Sequence, residues 1–189
     1  YPKSSSNVSL DEAEFLGWLL ADGYYSWSGK KRNKKQGLVV KLVQSVGKFT
    51  KEIESNLHKL NYKFTVHSSF KENGNNVNYY NISPEPVREL LLRLGAKDKH
   101  NSDWVSIILD MSEEARNKFV YSFYLSDGHD VNKYTQNKGN IQEAISLAVY
   151  LQGKRISITD KDDKCSVITK HSTSYISGQK LTKKSLGIL

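Results

Sequence analysis

Two short segments of this chain repeat each other. The segment from Phe15 to Gly23 reads FLGWLLADG, and the segment from Val120 to Gly128 reads VYSFYLSDG. Each is an apolar run with a small residue at its third and seventh positions, followed by Asp-Gly. Small residues four apart lie on one face of a helix, and such a face lets a second helix approach backbone to backbone. The repeat therefore predicts two helices that pack against each other.

The predicted contact between these helices consists of four small residues: Gly17, Ala21, Ser122 and Ser126. If the helices run parallel, their C-terminal ends coincide and bring Asp22 and Asp127 together. Two carboxylates beside the negative ends of two helix dipoles repel each other, and the arrangement persists most readily when a cation lies between them. A divalent metal ion is the obvious candidate. Gly23 and Gly128 fit the left-handed residue that ends a helix.

A single Asp-Gly usually marks a turn, but two copies that each close an apolar helical run favour a shared site. With this duplicated motif the chain resembles the LAGLIDADG homing endonucleases, in their single-chain form with two motifs. Asp22 and Asp127 match the last acidic position of the motif, which binds metal in that family. Leucine stands at the earlier, non-catalytic acidic position of both copies, and Ser122 replaces glycine at the third position of the second.

The resemblance implies a metal site with Mg²⁺ or Mn²⁺ at Asp22 and Asp127, to which we assign the adjacent Gly23 and Gly128. The family usually adds a basic residue to each of its two pockets, to polarise the attacking water or to stabilise the transition state. We predict Lys99 as this catalytic residue beside the two aspartates.

Lys99 lies in the stretch AKDKHNSDWV and best matches the lysine that intein-type members carry before the second motif. Their usual Ile-Pro is replaced here by Asn101-Ser102, and Lys97 is the alternative. For the other pocket four lysines remain open: Lys170, Lys180, Lys183 and Lys184.

Composition agrees with a nucleic-acid partner. Lys and Arg number 28 against 20 Asp and Glu, which gives a net charge of +8, and the pI near 9.4 suits a polyanion. The single cysteine, Cys165, excludes an internal disulfide and a Cys-based zinc cluster. No apolar run approaches membrane-spanning length, and Tyr1 to Val8 lacks the core of a signal peptide. We expect a soluble, intracellular protein, cytoplasmic or organellar.

Periodicity predicts the elements around each motif. Ser9 and Glu12 form a capping box ahead of the first motif helix, residues 10–22. The elements predicted after it are strands at 24–28, 38–45, 62–69 and 77–82, a helix through Phe49, Ile53, Leu57 and Leu60, and a helix opened by Pro84 and Pro86 and stopped by Gly95.

The second motif helix is predicted to start at Ser112, after a linker over 96–111. The elements predicted after it are a strand-like stretch at 130–137, a helix at 141–152, and strands at 155–159 and 166–170. Fewer residues separate Asp127 from Arg155 than Asp22 from Tyr62, so the first two strands here should be shortened, or one of them missing.

The resemblance implies an α+β fold with two pseudo-symmetric αββαββα-type halves, residues 1–95 and 112–189, joined by the linker. The antiparallel strands of each half form a saddle, the motif helices meet at its centre, and the protein is a monomer bound to double-stranded DNA. Alternation along residues 62–69 predicts that Tyr62, Phe64 and Val66 face the helices and leave the other side free to enter a groove.

A basic segment between the first two strands, KKRNKK, carries five positive charges in six residues. A charge run is usually a solvated loop, but at the rim of a saddle it would contact phosphates. The residues predicted to contact DNA are Lys30, Lys31, Arg32, Lys34, Lys35, Lys41, Lys63, Thr65, His67, Lys133 and Arg155.

The predicted function is a site-specific double-strand DNA endonuclease that hydrolyses phosphodiester bonds. One alternative is a non-cutting nucleic-acid-binding protein on the same fold, such as an intron maturase or a degenerate homing domain. The shortened second half favours it and the intact Asp pair opposes it. A protein-splicing intein is disfavoured because Tyr1 is not a splice nucleophile and the segment 185–189 lacks His-Asn, although an endonuclease domain from an intein remains open.

Overall fold

The computed structural model describes residues 7–27, 37–70, 76–130, 133–161 and 164–170. Over these ranges the fold is α+β, as predicted. The helices are α1 (Leu10–Ala21), α2 (Thr50–Lys59), α3 (Pro84–Arg93), α4 (Trp104–Asp110), α5 (Glu113–Asp127) and α6 (Asn140–Leu151). The strands are β1 (Gly23–Trp27), β2 (Leu38–Ser45), β3 (Phe64–Ser69), β4 (Val77–Ile82), β5 (Gly128–Asp130), β6 (Lys133–Asn137), β7 (Arg155–Lys161) and β8 (Lys164–Lys170). No helix in the described ranges is long and apolar enough to cross a membrane.

Both motif segments form the predicted helices, and each starts at a serine cap. Ser9 and Glu12 make the predicted capping box, since Glu12 N donates to Ser9 Oγ at 3.2 Å and Ser9 N donates to Glu12 Oε2 at 2.8 Å. Ser112 Oγ accepts from Ala115 N at the start of α5. These bonds satisfy amide groups that have no partner within the first turn of a helix.

Helices α1 and α5 pack side by side and run parallel. Near their N-terminal ends, Lys118 Nζ lies 3.2 Å from the buried carboxylate of Glu14. Farther along, Gly17 lies against Ser122. The order of these contacts places the C-terminal ends of the two helices together.

The strands form two antiparallel four-stranded sheets, with orders β1-β2-β4-β3 and β5-β6-β8-β7. In the first sheet, Tyr25 pairs with Val40, Val40 with Ile82, and Ile82 with Phe64. Side chains of paired residues point to the same face, and this row is turned towards the helices: Tyr25, Val40 and Ile82 belong to the core, and Phe64 is partly buried against it. The hydrophobic core therefore lies between the sheets and the helices.

Val66 departs from the predicted alternation. It is on the same side of β3 as Phe64, but its side chain is 43% exposed rather than buried. Because β3 is the edge strand of the first sheet, it has a neighbouring strand on one side only. Its apolar positions are therefore covered less completely than those of β2 and β4.

The second sheet contains both of its first two strands, and both are short. The stretch predicted as one strand at 130–137 is two, because β5 ends at Asp130 and β6 begins at Lys133. The shorter connection in the sequence thus shortens the strands without removing one.

The segment predicted as a linker, 96–111, contains helix α4. Asp103 caps this helix by accepting a hydrogen bond from Ser106 N. Trp104, Ile107 and Ile108 are buried, and α4 packs against α6. The buried side of α4 is therefore part of the core.

Candidate active site

The two motif aspartates lie at the C-terminal ends of the central helices. Asp22 follows the last residue of α1, and Asp127 is the last residue of α5. Ser126 Oγ, on α5, donates a hydrogen bond to Asp22 Oδ2 at 2.7 Å. The ends of the helices therefore meet, as the small-residue spacing indicated.

Each aspartate has its own surroundings. Burial raises the pKa of Asp22, although the Ser126 hydrogen bond and the charge of Lys99 act in the opposite direction. Asp127 Oδ2 accepts a hydrogen bond from Gln136 Nε2, on β6, at 2.5 Å. The two carboxylates are thus held by different donors.

Lys99 reaches the same place from the segment between α3 and α4. Its Nζ donates to Gly23 O at 2.5 Å and lies 3.4 Å from Ala21 O, where a cation also interacts favourably with the dipole of α1. Burial lowers the pKa of Lys99 to about 8, and the charges of Asp22 and Asp127 oppose this shift. A lysine and two carboxylates therefore share one partly buried site.

The loop that carries Lys99 is held by its own hydrogen bonds. Trp104 Nε1 donates to Lys99 O at 2.8 Å. Asp98 Oδ1 accepts from the backbone N of Asn101 and of His100, and these bonds lower the pKa of Asp98. Ser102 Oγ accepts from Asp98 N at 3.0 Å. Asn101 and Ser102, which replace the Ile-Pro of the intein-type pattern, therefore help to close this loop.

The expectation that Gly23 and Gly128 end their helices in the left-handed conformation is wrong. Each is instead the first residue of a strand, β1 or β5. Glycine is needed at position 23 for another reason: a Cβ there would lie 2.4 Å from Leu19 O. The chain turns from α1 into β1 so tightly that its backbone touches the last turn of the helix.

Two glutamines that were not predicted from the sequence lie at equivalent positions in the two sheets. Gln44 is the second-last residue of β2 and Gln136 the second-last of β6. In both, the side-chain oxygen accepts from the next backbone N, at 2.9 Å from Ser45 and 3.1 Å from Asn137. Gln44 Nε2 is buried and has no hydrogen-bond partner among the described residues. The sequence does contain a signal for these residues, since a glutamine stands near the end of the second strand after each motif.

The outer face of the first sheet carries a polar row across all four strands. Tyr24 on β1 pairs with Lys41, Lys41 with Asn81, and Asn81 with Thr65 on β3. Tyr79 pairs with His67 in a second row on the same face. Three of the DNA contacts predicted from sequence, Lys41, Thr65 and His67, therefore lie together on one surface.

The architecture matches solved structures of DNA-bound proteins. A structure of the homing endonuclease I-DmoI in complex with DNA and Ca aligns with a TM-score of 0.60 at 14% identity, covering 96% of this chain and 97% of that one. The chain has the LAGLIDADG fold. Another I-DmoI structure, with DNA and Mn, aligns with a TM-score of 0.57 at 15% identity, covering 87% of this chain and 91% of that one.

Two further proteins share the LAGLIDADG fold with this chain. The homing endonuclease I-WcaI, bound to its DNA recognition sequence, aligns at 14% identity with a TM-score of 0.52, covering 99% of this chain and 87% of that one. The N-terminal LAGLIDADG domain of DUF199/WhiA aligns at 9% identity with a TM-score of 0.55, covering 95% and 90%. No protein-family model and no curated protein matches the chain.

The other predicted DNA contacts are distributed over the LAGLIDADG fold. Lys133 and Arg155 are exposed on β6 and β7, and the strand pairing puts both on the outer face of the second sheet. Lys63 is exposed, but it lies immediately before β3 and is not part of the strand. The segment Lys30–Lys35 lies outside the described residues. The same holds for Lys180, Lys183 and Lys184, and only the backbone of Lys170 is described.

A groove of about 700 Å³ opens beside the aspartates of the LAGLIDADG motifs. Asp22, Asp127 and Gln44 contribute to its lining, together with Lys48 and Lys154. These two lysines were not predicted from the sequence, because an isolated lysine in a basic chain carries no signal. The groove therefore combines the carboxylates with positive charge that can face a phosphate.

The donor atoms at this site fit a magnesium or manganese ion. In the described ranges no group of three or more His, Cys, Asp or Glu side chains is placed to hold a metal. Mg²⁺ needs no such cage, since it is usually bound by one or two carboxylates and keeps several waters. Asp22 and Asp127 supply two carboxylates, and carboxylate and carbonyl oxygens suit Mg²⁺ and Mn²⁺ alike.

Proposed function

We propose that this chain is a monomeric, site-specific endonuclease that cuts double-stranded DNA at a long, asymmetric target by metal-dependent phosphodiester hydrolysis. The observation that carries the proposal is the meeting of Asp22, Asp127 and Lys99 at the joined ends of α1 and α5. The fold shared with I-DmoI and I-WcaI supports it.

In this proposal the two aspartates hold the metal ion, and the backbone of Gly23 and Gly128 offers adjacent carbonyl oxygens. The chemistry that Mg²⁺ or Mn²⁺ would supply when bound by these residues is neutralisation of the phosphate charge, activation of a water and stabilisation of the leaving oxygen. Gln136 orients the Asp127 carboxylate through its hydrogen bond. Lys99 presents a cation that stabilises the charge that develops on the phosphate.

The target is bound by the outer faces of the two sheets. The row of Tyr24, Lys41, Asn81 and Thr65 provides donors and acceptors for base edges and phosphates. The row spans all four strands, which suits a surface that follows a groove of the DNA. The basic segment Lys30–Lys35 lies between β1 and β2 in the sequence. The shorter β5 and β6 give the second sheet fewer positions for contact, which makes the complex asymmetric.

The alternative is a nucleic-acid-binding protein with the same fold that does not cut, such as an intron maturase or a degenerate homing domain. The short β5 and β6 favour it, because a reduced second surface suits an altered partner. The presence of a lysine with lowered pKa close enough to both carboxylates to feel their charge favours catalysis.

The decisive experiment separates binding from cutting. Random DNA duplexes are first selected for binding in Ca²⁺, and the selected sequence is then cloned into a plasmid and incubated with Mg²⁺, with Mn²⁺ or with EDTA. We expect a linear product with either metal and none with EDTA. Sequence-specific binding without cleavage in either metal would favour the alternative, and failure to select any DNA sequence would contradict the endonuclease.

A further inference from the structure

Ser126 is the residue before the second motif aspartate, yet its hydroxyl bonds to the aspartate of the first motif. Its Oγ lies 2.7 Å from Asp22 Oδ2, and the bond crosses the contact between α1 and α5. The equivalent position in the first motif is Ala21, whose methyl group cannot donate. Asp127 accepts a hydrogen bond from Gln136 instead. Gln136 lies on β6, in the sheet that follows α5, the helix that carries Asp127.

We infer that Ser126 is a positioning residue for the Asp22 carboxylate and sets the metal affinity of that side of the site. The inference rests on the proposed function, because it takes Asp22 to be a metal ligand. A carboxylate held by a fixed hydroxyl has lost its rotational freedom before the cation arrives. Hydrogen bonds that orient metal ligands in this way typically contribute about 10–100-fold in metal affinity or activity.

A second serine on the same helix provides a matched control. Ser122 also lies at the contact between the helices, but its hydroxyl donates to the backbone oxygens of Lys118 and Phe119 within α5, at 3.1 Å and 3.2 Å. Replacing it with alanine removes a hydroxyl from the same interface without removing a bond to a carboxylate. Any difference between the two alanine variants therefore reports the bond to Asp22.

The test measures the affinity of the DNA-free protein for Mn²⁺, by titration calorimetry or electron paramagnetic resonance, and the melting temperature of each protein. Ser126→Ala should bind Mn²⁺ at least about tenfold more weakly than wild type. Ser126→Thr keeps the hydroxyl and should retain most of the wild-type affinity for Mn²⁺. Ser122→Ala should bind Mn²⁺ as the wild type does.

Unchanged Mn²⁺ affinity in Ser126→Ala, even with a lower melting temperature, would overturn the inference. So would an equal loss of affinity in Ser122→Ala, because the effect would then belong to helix packing. The positioning role of Ser126 and the endonuclease function can be contradicted independently of each other. A wild type that cuts its target while Ser126→Ala binds Mn²⁺ normally contradicts only the positioning role, whereas Ser126-dependent Mn²⁺ binding without any cleavage contradicts only the endonuclease.

Discussion

The hydroxyl of Ser122 occupies the space that any side chain on Gly17 would need. A Cβ on Gly17 would lie 1.9 Å from Ser122 Oγ and 2.5 Å from Phe119 O. Contact this close requires the smallest residue on α1, and one of the neighbouring atoms is backbone that no rotamer change can move. The approach of the two helices here brings Asp22 and Asp127 to one site.

The first prediction concerns this contact. Gly17→Leu should destabilise the protein by more than the roughly 1–3 kcal/mol that overpacking usually costs, because the side chain would meet backbone atoms of Phe119 and Phe123 and not only movable side chains. Ser122→Leu should act in the same direction. Denaturant unfolding measures both, with Glu114→Leu on the exposed side of α5 as the control. Unchanged stability in the first two variants would show that the two backbones can separate without cost.

The second prediction concerns the carboxylates. Asp22→Asn and Asp127→Asn should each abolish double-strand cleavage, because an amide is a poor metal ligand. Binding to the target should stay largely intact, because the amide is similar in size to the carboxylate it replaces. Cleavage is read from a plasmid and binding from a gel shift in Ca²⁺. Asp110→Asn, an exposed residue at the end of α4, removes the same charge and should cut normally. A double variant that still linearises the plasmid in Mg²⁺ would remove both residues from the catalytic site.

The third prediction concerns pH. Burial lowers the pKa of Lys99 to about 8 from the ordinary value of 10.5. Between these two values the unfolded chain binds more protons than the folded protein, so the free energy of unfolding should rise with pH in this window. Measured in EDTA, wild type should gain stability relative to Lys99→Met from about pH 8 towards pH 10.

The exposed neighbour Lys97 provides the control for this measurement. Lys97→Met should follow the pH dependence of the wild type. If the stability difference between wild type and Lys99→Met stays flat across the window, burial does not act on Lys99 as the structure indicates.

The fourth prediction separates phosphate contacts from base contacts. Replacing Lys31, Arg32 and Lys34 with alanine should weaken binding to target and random DNA by similar factors, and each lost phosphate contact should flatten the slope of log K against log salt by about 0.9. Thr65→Ala or His67→Ala should change the preferred bases and leave the slope nearer its original value. A wild-type slope in the triple variant would place the basic segment away from the DNA.

Much of the framework could be predicted from local patterns. The capping box at Ser9, the limits of β2 and β4, and the end of α3 shortly before Gly95, which has a positive φ, follow from residues close together in the chain. Helix α4 was missed because it is short and its burial depends on α6. The exposure of Val66 could not be predicted either, since alternation identifies a face and not whether the strand lies at a sheet edge.

The sequence by itself determined that two helices with small-residue faces end in paired aspartates, because helical periodicity and small-residue spacing are local properties. The family resemblance predicted Lys99 beside those aspartates, and only the tertiary structure decided which atoms Lys99 contacts and which other groups surround them. Lys99 reaches Gly23 O from 76 residues away, and Ser126 bonds to Asp22 across 104 residues. Hydrogen bonds over such separations depend on how whole elements pack, and no local pattern records that packing.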